Sequence, residues 1–159
     1  MITPTHVLAL DSPLGTLVLG ANDNLLTRVW LPNETPPDGA GTLASSRVLD
    51  DAARQLAEYF AGRRRSFDLP LSAQGTAFQR DVWNQLSLIG YGETITYAEL
   101  AARVSRPRAY RAVGQANGAN PLPIVVPCQR VRASTGIGGY AGGLDTKRAL
   151  LALEGANVD

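Results

Sequence analysis

Near the start of the chain, apolar residues gather in three short runs, His6 to Leu10, Thr16 to Gly20 and Leu25 to Leu31. The runs are rich in leucine and β-branched residues, and Ser12-Pro-Leu-Gly15 and Asn22-Asp-Asn24 punctuate them with turn chemistry. They predict a small antiparallel sheet. Residues 32 to 46 hold three prolines and several small residues, which predicts an exposed loop. From Val48 to Phe60 the period changes: Leu49, Ala52, Leu56 and Phe60 recur at helical spacing. Arg63 to Gly75, with Pro70 inside it, reads as a linker between a first domain at 1–70 and a second at 75–159.

Helical signals dominate the second half. Thr76-Ala-Phe-Gln79 fits a capping box, and Phe78, Val82, Leu86 and Ile89 then form one apolar stripe that Gly90-Tyr-Gly92 ends. Thr96-Tyr-Ala-Glu99 is a second capping box, opening a short helix through Arg103. Ser105-Arg-Pro107 makes a turn, with Pro107 suited to the first position of the next helix. That helix carries Arg108 and Arg111, runs to about Asn117 and stops near Gly118. The pair, over about 96–117, is a helix-turn-helix candidate, although many such units serve only packing. A last helix from Thr146 to Glu154 has Leu150, Leu151 and Leu153 to bury. The fold class is α/β, with a small antiparallel sheet and helix first and a helical domain after it.

Composition adds limits rather than a function. A chain of 159 residues, 45% apolar and 18% charged, has a globular balance. No apolar run approaches the roughly 20 residues that span a bilayer, so no membrane partner is expected. One cysteine makes no internal disulfide, which points to a reducing compartment, the cytoplasm. With one Cys and one His (His6) the chain offers no ligand set for a zinc site of that type, and no metal is expected.

Charge distribution is more informative than the net +1. No Asp or Glu lies between Leu100 and Leu144, whereas Arg103, Arg106, Arg108, Arg111, Arg130 and Arg132 do. A purely basic segment suggests a polyanion partner; a solvated face with no ligand is the alternative. Arg63-Arg64-Arg65 reads as the polar end of a helix.

The only cysteine, Cys128, sits inside that segment, in Ile124-Val-Val-Pro-Cys-Gln-Arg-Val131. A lone cysteine is more often a small buried hydrophobe than a nucleophile. Here the apolar run and Pro127 place it at the end of a buried segment, and the basic surroundings favour thiolate over thiol. A thiolate is a soft nucleophile, and a thioether formed on it has no easy route back. Gly136-x-Gly138-x-x-Ala141 formally fits a dinucleotide fingerprint, but too little chain follows it for a βαβ unit.

Together with Arg111-Ala-Val-Gly-Gln-Ala-Asn-Gly-Ala-Asn-Pro121, the Cys128 segment resembles the O6-alkylguanine-DNA alkyltransferases. That family's signature is an RAVG-x-A-x-x-x-NP run leading into Pro-Cys-His-Arg-Val. The resemblance extends through Gly75-Thr-Ala-Phe-Gln79, Val82-Trp83, Tyr91-Gly-Glu-Thr94 with Tyr97, and Gly139-Tyr-Ala-Gly-Gly-Leu144 with Lys147 and Glu154. It implies a ribonuclease H-like first domain of structural role. The second domain, on this likeness, binds DNA and moves an alkyl group irreversibly from O6-alkylguanine to Cys128, with O4-alkylthymine left open.

Alkylated guanine hides O6 inside the duplex, so the base must rotate out through the minor groove at a cost of a few kcal/mol. The resemblance assigns Arg111 to the vacated stack and Tyr97 to the target phosphate and flipped base. Arg108 is a further DNA contact, and Ala109, Ala112 and Gly114 allow close approach to the groove. It places backbone of Cys128 and Val131 at the exocyclic amine, and Tyr140 with the Ala141 amide at O6. Asn120 braces the turn before the cysteine, and Lys147 supports the pocket; purely structural roles remain open for both. No cofactor is implied. The partner is duplex DNA bearing the lesion, in the cytoplasm and on the nucleoid of a bacterium, with a monomer as the acting form and cooperativity open.

Three positions depart from the pattern: Gly90 stands for Pro, Tyr110 for a small residue, and Gln129 for the family's His. In the family that His, oriented by a Glu matching Glu154, takes the thiol proton through a water. Glutamine cannot act as a base near neutral pH. A slower reaction, a direct role for Glu154, or lesion sensing with slow or no transfer all stay open, as does a DNA-binding regulator with no lesion preference.

Overall fold

The computed structural model describes residues 4–38, 41–43, 46–156 and 158. They form two compact units, Met1–Gln74 and Gly75–Asp159. In the first, strands β1 (His6–Ser12), β2 (Gly15–Asn22) and β3 (Leu25–Trp30) make an antiparallel meander, with Val7 opposite Gly20 and Leu19 opposite Val29. The alternation of buried Leu17, Leu19 and Ala21 along β2 gives the sheet one core face. Helix α1 (Arg47–Phe60) covers it, capped by Ser46, whose side chain accepts from Leu49 N.

Three expectations are corrected here. Strand β4 (Thr42–Leu43) lies inside the expected loop and pairs in parallel with β1; residues 39, 40, 44 and 45 of that loop lie outside the described set. A two-residue strand has no period for a sequence to display. The last α1 stripe position is Tyr59, fully buried, rather than the half-buried Phe60 that ends the helix. The expected linker is part of the first unit. Its Asp68 exchanges two bonds of 2.9 Å with the buried Gln55 side chain, and Pro70 and Ser72 bond Leu26. Arg64, in the basic run after α1, pairs with Glu58 at 2.8 Å.

The second unit opens with α2 (Ala77–Leu86), where Thr76 and Gln79 complete the capping box reciprocally. Val82, Trp83 and Leu86 turn inward, and Trp83 Nε1 donates to Ala116 O at 2.8 Å. Phe78 is only half-buried, beneath the Arg106 guanidinium 5.5 Å from its ring centroid. Strand β5 (Ile95–Thr96) leads into α3 (Tyr97–Arg103), capped by Thr96. Helix α4 (Tyr110–Gly118) follows, packed on α2 and α3.

Pro107 does not start α4. Ser105 takes a left-handed φ of 60°, a turn follows it, and the helix begins three residues after Pro107, which leaves Arg108 in the turn. Nor is this unit wholly helical: β6 (Val131–Arg132) pairs in parallel with β5, setting Ile95 beside Val131. Helix α5 (Leu144–Leu153) buries Leu150 and Leu151 and leaves Leu153 half-buried. Among the described residues, no helix is long and apolar enough to cross a membrane.

Candidate active site and DNA interface

Every residue from Pro121 to Arg130 is buried, so the chain enters the site as a buried loop and must satisfy its own backbone. Asn120 supplies much of that. Its Oδ1 accepts from Leu122 N at 3.0 Å, and its Nδ2 donates to Val126 O at 2.8 Å. Between those anchors Ile124 is forced to φ 73°, a conformation a β-branched residue keeps only when its surroundings impose it. Pro127, at φ −81° and ψ 69°, forms an inverse γ-turn in which Cys128 N donates to Val126 O at 2.8 Å. A single 3-10 turn, Cys128–Arg130, then delivers the chain to β6.

Cys128 is 5% exposed, and its Sγ lies 3.7 Å from the Tyr140 hydroxyl. Burial raises the thiol pKa above its usual value, against lowering by hydrogen bonds from Asn120 and Tyr140 and by the Lys147 charge. The expectation that basic surroundings favour thiolate is therefore overturned: in the protein alone, desolvation wins. Among the arginines of the basic segment, Arg103, Arg106, Arg108 and Arg111 are exposed, but Arg130 is not a surface charge at all. Its guanidinium grips Glu154 through Nε at 2.8 Å and Nη2 at 3.2 Å, and its Nη1 donates to Ile89 O at 2.6 Å.

Gln129 joins the same cluster. It is fully buried, and its Nε2 donates to Glu154 Oε2 at 3.0 Å. The reverse amide orientation would set oxygen against carboxylate, so Oε1 is the atom left with no hydrogen-bond partner. Glu154 thus meets Gln129, as the sequence expects it to meet the family's His, but its carboxylate is occupied by Arg130.

Lys147 ties two segments of the site together. Its Nζ donates to Val131 O at 2.6 Å and to Gly139 O at 3.0 Å, and it lies 6.0 Å from the Tyr140 ring centroid. Burial lowers its pKa to about 8, with the Cys128 charge acting the other way. Tyr97, at the start of α3, also donates to Gly139 O, at 3.4 Å. Burial, then the Cys128 charge, raise its pKa. Gly138 makes this fit possible: at φ 76° any Cβ there would sit 3.1 Å from the Tyr97 ring.

The structure therefore brings Cys128, Gln129, Glu154, Asn120, Tyr140, Tyr97, Val131 and Lys147 to one place. Ala141 is exposed beside Tyr140. Arg111 and Ala112 are exposed on the first turn of α4, Gly114 packs near the Tyr97 ring, and half-buried Ala109 precedes the helix. Tyr110 does not face the core: it is 53% exposed.

Two participants escaped sequence reading. Asn117 is buried, and its Nδ2 donates to Cys128 O at 3.3 Å while Oδ1 has no partner. The available signal was a polar residue four positions after Val113, on the core-facing side of α4. Arg130 belongs by sequence to the basic segment, and the partner that buries it lies 24 residues away.

Comparison with known proteins matches both units. Residues 7–73 fit the family description "6-O-methylguanine DNA methyltransferase, ribonuclease-like domain", and residues 77–156 fit its "DNA binding domain". A methylated-DNA--protein-cysteine methyltransferase of Mycolicibacterium paratuberculosis is 47% identical over 146 residues, covering 91% of this chain and 88% of the relative. One from Methanosarcina barkeri is 45% identical over 155 residues, covering 94% and 96%. The crystal structure of Mycobacterium tuberculosis OGT in complex with DNA superposes with a TM-score of 0.88 at 42% identity, covering 95% and 93%.

Proposed function

The chain belongs to the O6-methylguanine DNA methyltransferase family, and from that premise we propose that it repairs DNA by moving the alkyl group of O6-alkylguanine to Cys128. The observation that carries the reading is the placement of the only cysteine: a buried thiol with a hydroxyl 3.7 Å from its sulfur. The domain 75–159 does this work, and 1–70 has a structural role.

The lesion reaches the thiol by rotating out of the duplex through the minor groove. The exposed α3–α4 face supports this, because α4 has no side-chain cap and carries exposed Arg111 at its second residue, with Arg108 in the turn before it. An uncapped helix start beside arginines suits a phosphate backbone. Arg111 fills the vacated stack, Tyr97 meets the target phosphate and base, and Ala112 and Gly114 keep the helix surface low. Tyr110 adds bulk beside Arg111. In the pocket, Val131 and Cys128 backbone read the exocyclic amine, and Tyr140 with the Ala141 amide meets O6. Asn120 fixes the cysteine turn, and Lys147 holds the pocket walls.

Sulfur attacks the alkyl carbon as the C–O bond breaks, and the thioether ends the protein's activity after one turnover. No cofactor enters this balance. O4-alkylthymine, with the same alkyl–oxygen linkage, is the second substrate to try. The chain acts as a monomer in the cytoplasm, on the nucleoid of a bacterium. A labelled methyl moved from an O6-methylguanine duplex to the peptide containing Cys128 supports this function; label found elsewhere, or on no peptide, contradicts it.

A second reading rests on Gln129. A neutral amide at this position and a thiol raised by burial favour a lesion sensor with slow or no transfer. Selective binding of the lesion duplex without methyl uptake would select it.

A further inference from the structure

Gln129 offers the neighbouring thiol no base. Gln129 Nε2 is committed to Glu154 Oε2, Arg130 holds both oxygens of that carboxylate, and an amide takes up no proton near neutral pH. The thiol does have a hydrogen-bond acceptor, the Tyr140 hydroxyl at 3.7 Å, with sulfur as donor. We infer that Tyr140 is the proton relay of alkyl transfer, accepting the Cys128 thiol proton on its oxygen while giving its own hydroxyl proton to the departing guanine.

This inference rests on the alkyl-transfer reading, and its atoms balance without any further reactant. The S–H bond breaks and a Tyr140 O–H bond forms. The S–C bond forms as the C–O bond breaks, its electron pair staying on O6. The original Tyr140 proton goes to guanine, so the tyrosine ends as it began. Nothing is oxidised or reduced, and no base is needed at position 129.

The surroundings fit a relay that must stay in register. The carbonyl of Gly139, next to Tyr140, accepts from both Lys147 Nζ at 3.0 Å and Tyr97 Oη at 3.4 Å. Two side chains from α5 and α3 thus pin the backbone that carries the hydroxyl. The Lys147 ammonium, near the Tyr140 ring, also opposes the negative charge that builds on sulfur and oxygen as protons move. Lys147 is a positioning residue here, and Tyr140 a catalytic one.

The test is single-turnover methyl transfer from an O6-methylguanine duplex in mixtures of H2O and D2O, for the wild type and Tyr140→Phe. The relay predicts a wild-type rate that curves with deuterium fraction, since two protons move together. It also predicts a Tyr140→Phe rate lower by about 10²–10⁴-fold, the usual worth of acid–base help. Should Tyr140→Phe misfold, the wild-type curve alone decides. A wild type that transfers with a linear dependence, or a folded Tyr140→Phe within about threefold of it, overturns the relay and leaves transfer standing. A wild type that takes up no methyl overturns both.

Discussion

Replacing Arg130 by Met tests whether its cluster with Glu154 and Gln129 is a buried ion pair. The change leaves the Glu154 carboxylate, whose side chain is 0% exposed, with only the Gln129 amide among the donors given above, and leaves Ile89 O without its partner. Breaking a buried pair from one side costs about 3–5 kcal/mol. For a chain of this size each kcal/mol moves the melting point about 2–4 °C, so the shift is roughly 6–20 °C. Glu154→Leu, which strands the guanidinium instead, costs a similar amount. The double variant removes both charges and recovers about half of the summed loss of the two single variants. What remains is about 1–3 kcal/mol for each polar group still unsatisfied, here Ile89 O and the Gln129 amide. Equilibrium urea unfolding, read by hydrogen exchange in peptides of residues 75–159, keeps the other unit out of the signal. A coupling above about 2 kcal/mol is expected between the two sites. Additive losses, or a single variant costing under about 1 kcal/mol, would refute the buried-pair account.

Three further expectations concern chemistry. Burial raises the Cys128 thiol, so its thiolate forms only as pH climbs past the ordinary thiol range. Alkylation by iodoacetamide in the absence of DNA should then show a midpoint above about 8.5, and a midpoint near 7 would contradict the desolvation argument. Arg111→Ala should lower transfer from duplex DNA by about 10–100-fold, since it gives up part of a base-rotation cost of a few kcal/mol, while transfer from free O6-benzylguanine stays unchanged. Equal losses on both substrates would remove Arg111 from the base-rotation step. Because a relay through Tyr140 needs no base at position 129, Gln129→His should leave single-turnover transfer within about threefold of the wild type; a gain of about tenfold or more would show that proton removal at position 129 limits the rate.

Much of the frame was legible because its signals are local. Turn residues and β-branched runs mark β1 to β3, and Thr76 with Gln79 marks the start of α2 within one turn of chain. What escaped depends on partners distant in sequence. Arg130 reads as surface charge until Glu154 closes on it from 24 positions away. Residues near Asp68 read as a linker until the Gln55 side chain bonds its backbone. The two-residue strands β4, β5 and β6 exist only through their pairing, and no period announces them. The thiol shows the limit most directly: the sequence displays the arginines around Cys128, while the burial that outweighs them arises only on folding.

The central claim is that Cys128 accepts the alkyl group although Gln129 stands beside it. Time-resolved intact-protein mass spectrometry, after mixing with a duplex holding one O6-methylguanine, tests it most directly. The account predicts a gain of one methyl group in the wild type and none in Cys128→Ser. No gain in the wild type while it still binds the lesion duplex selectively, or a gain that survives in Cys128→Ser, would contradict it.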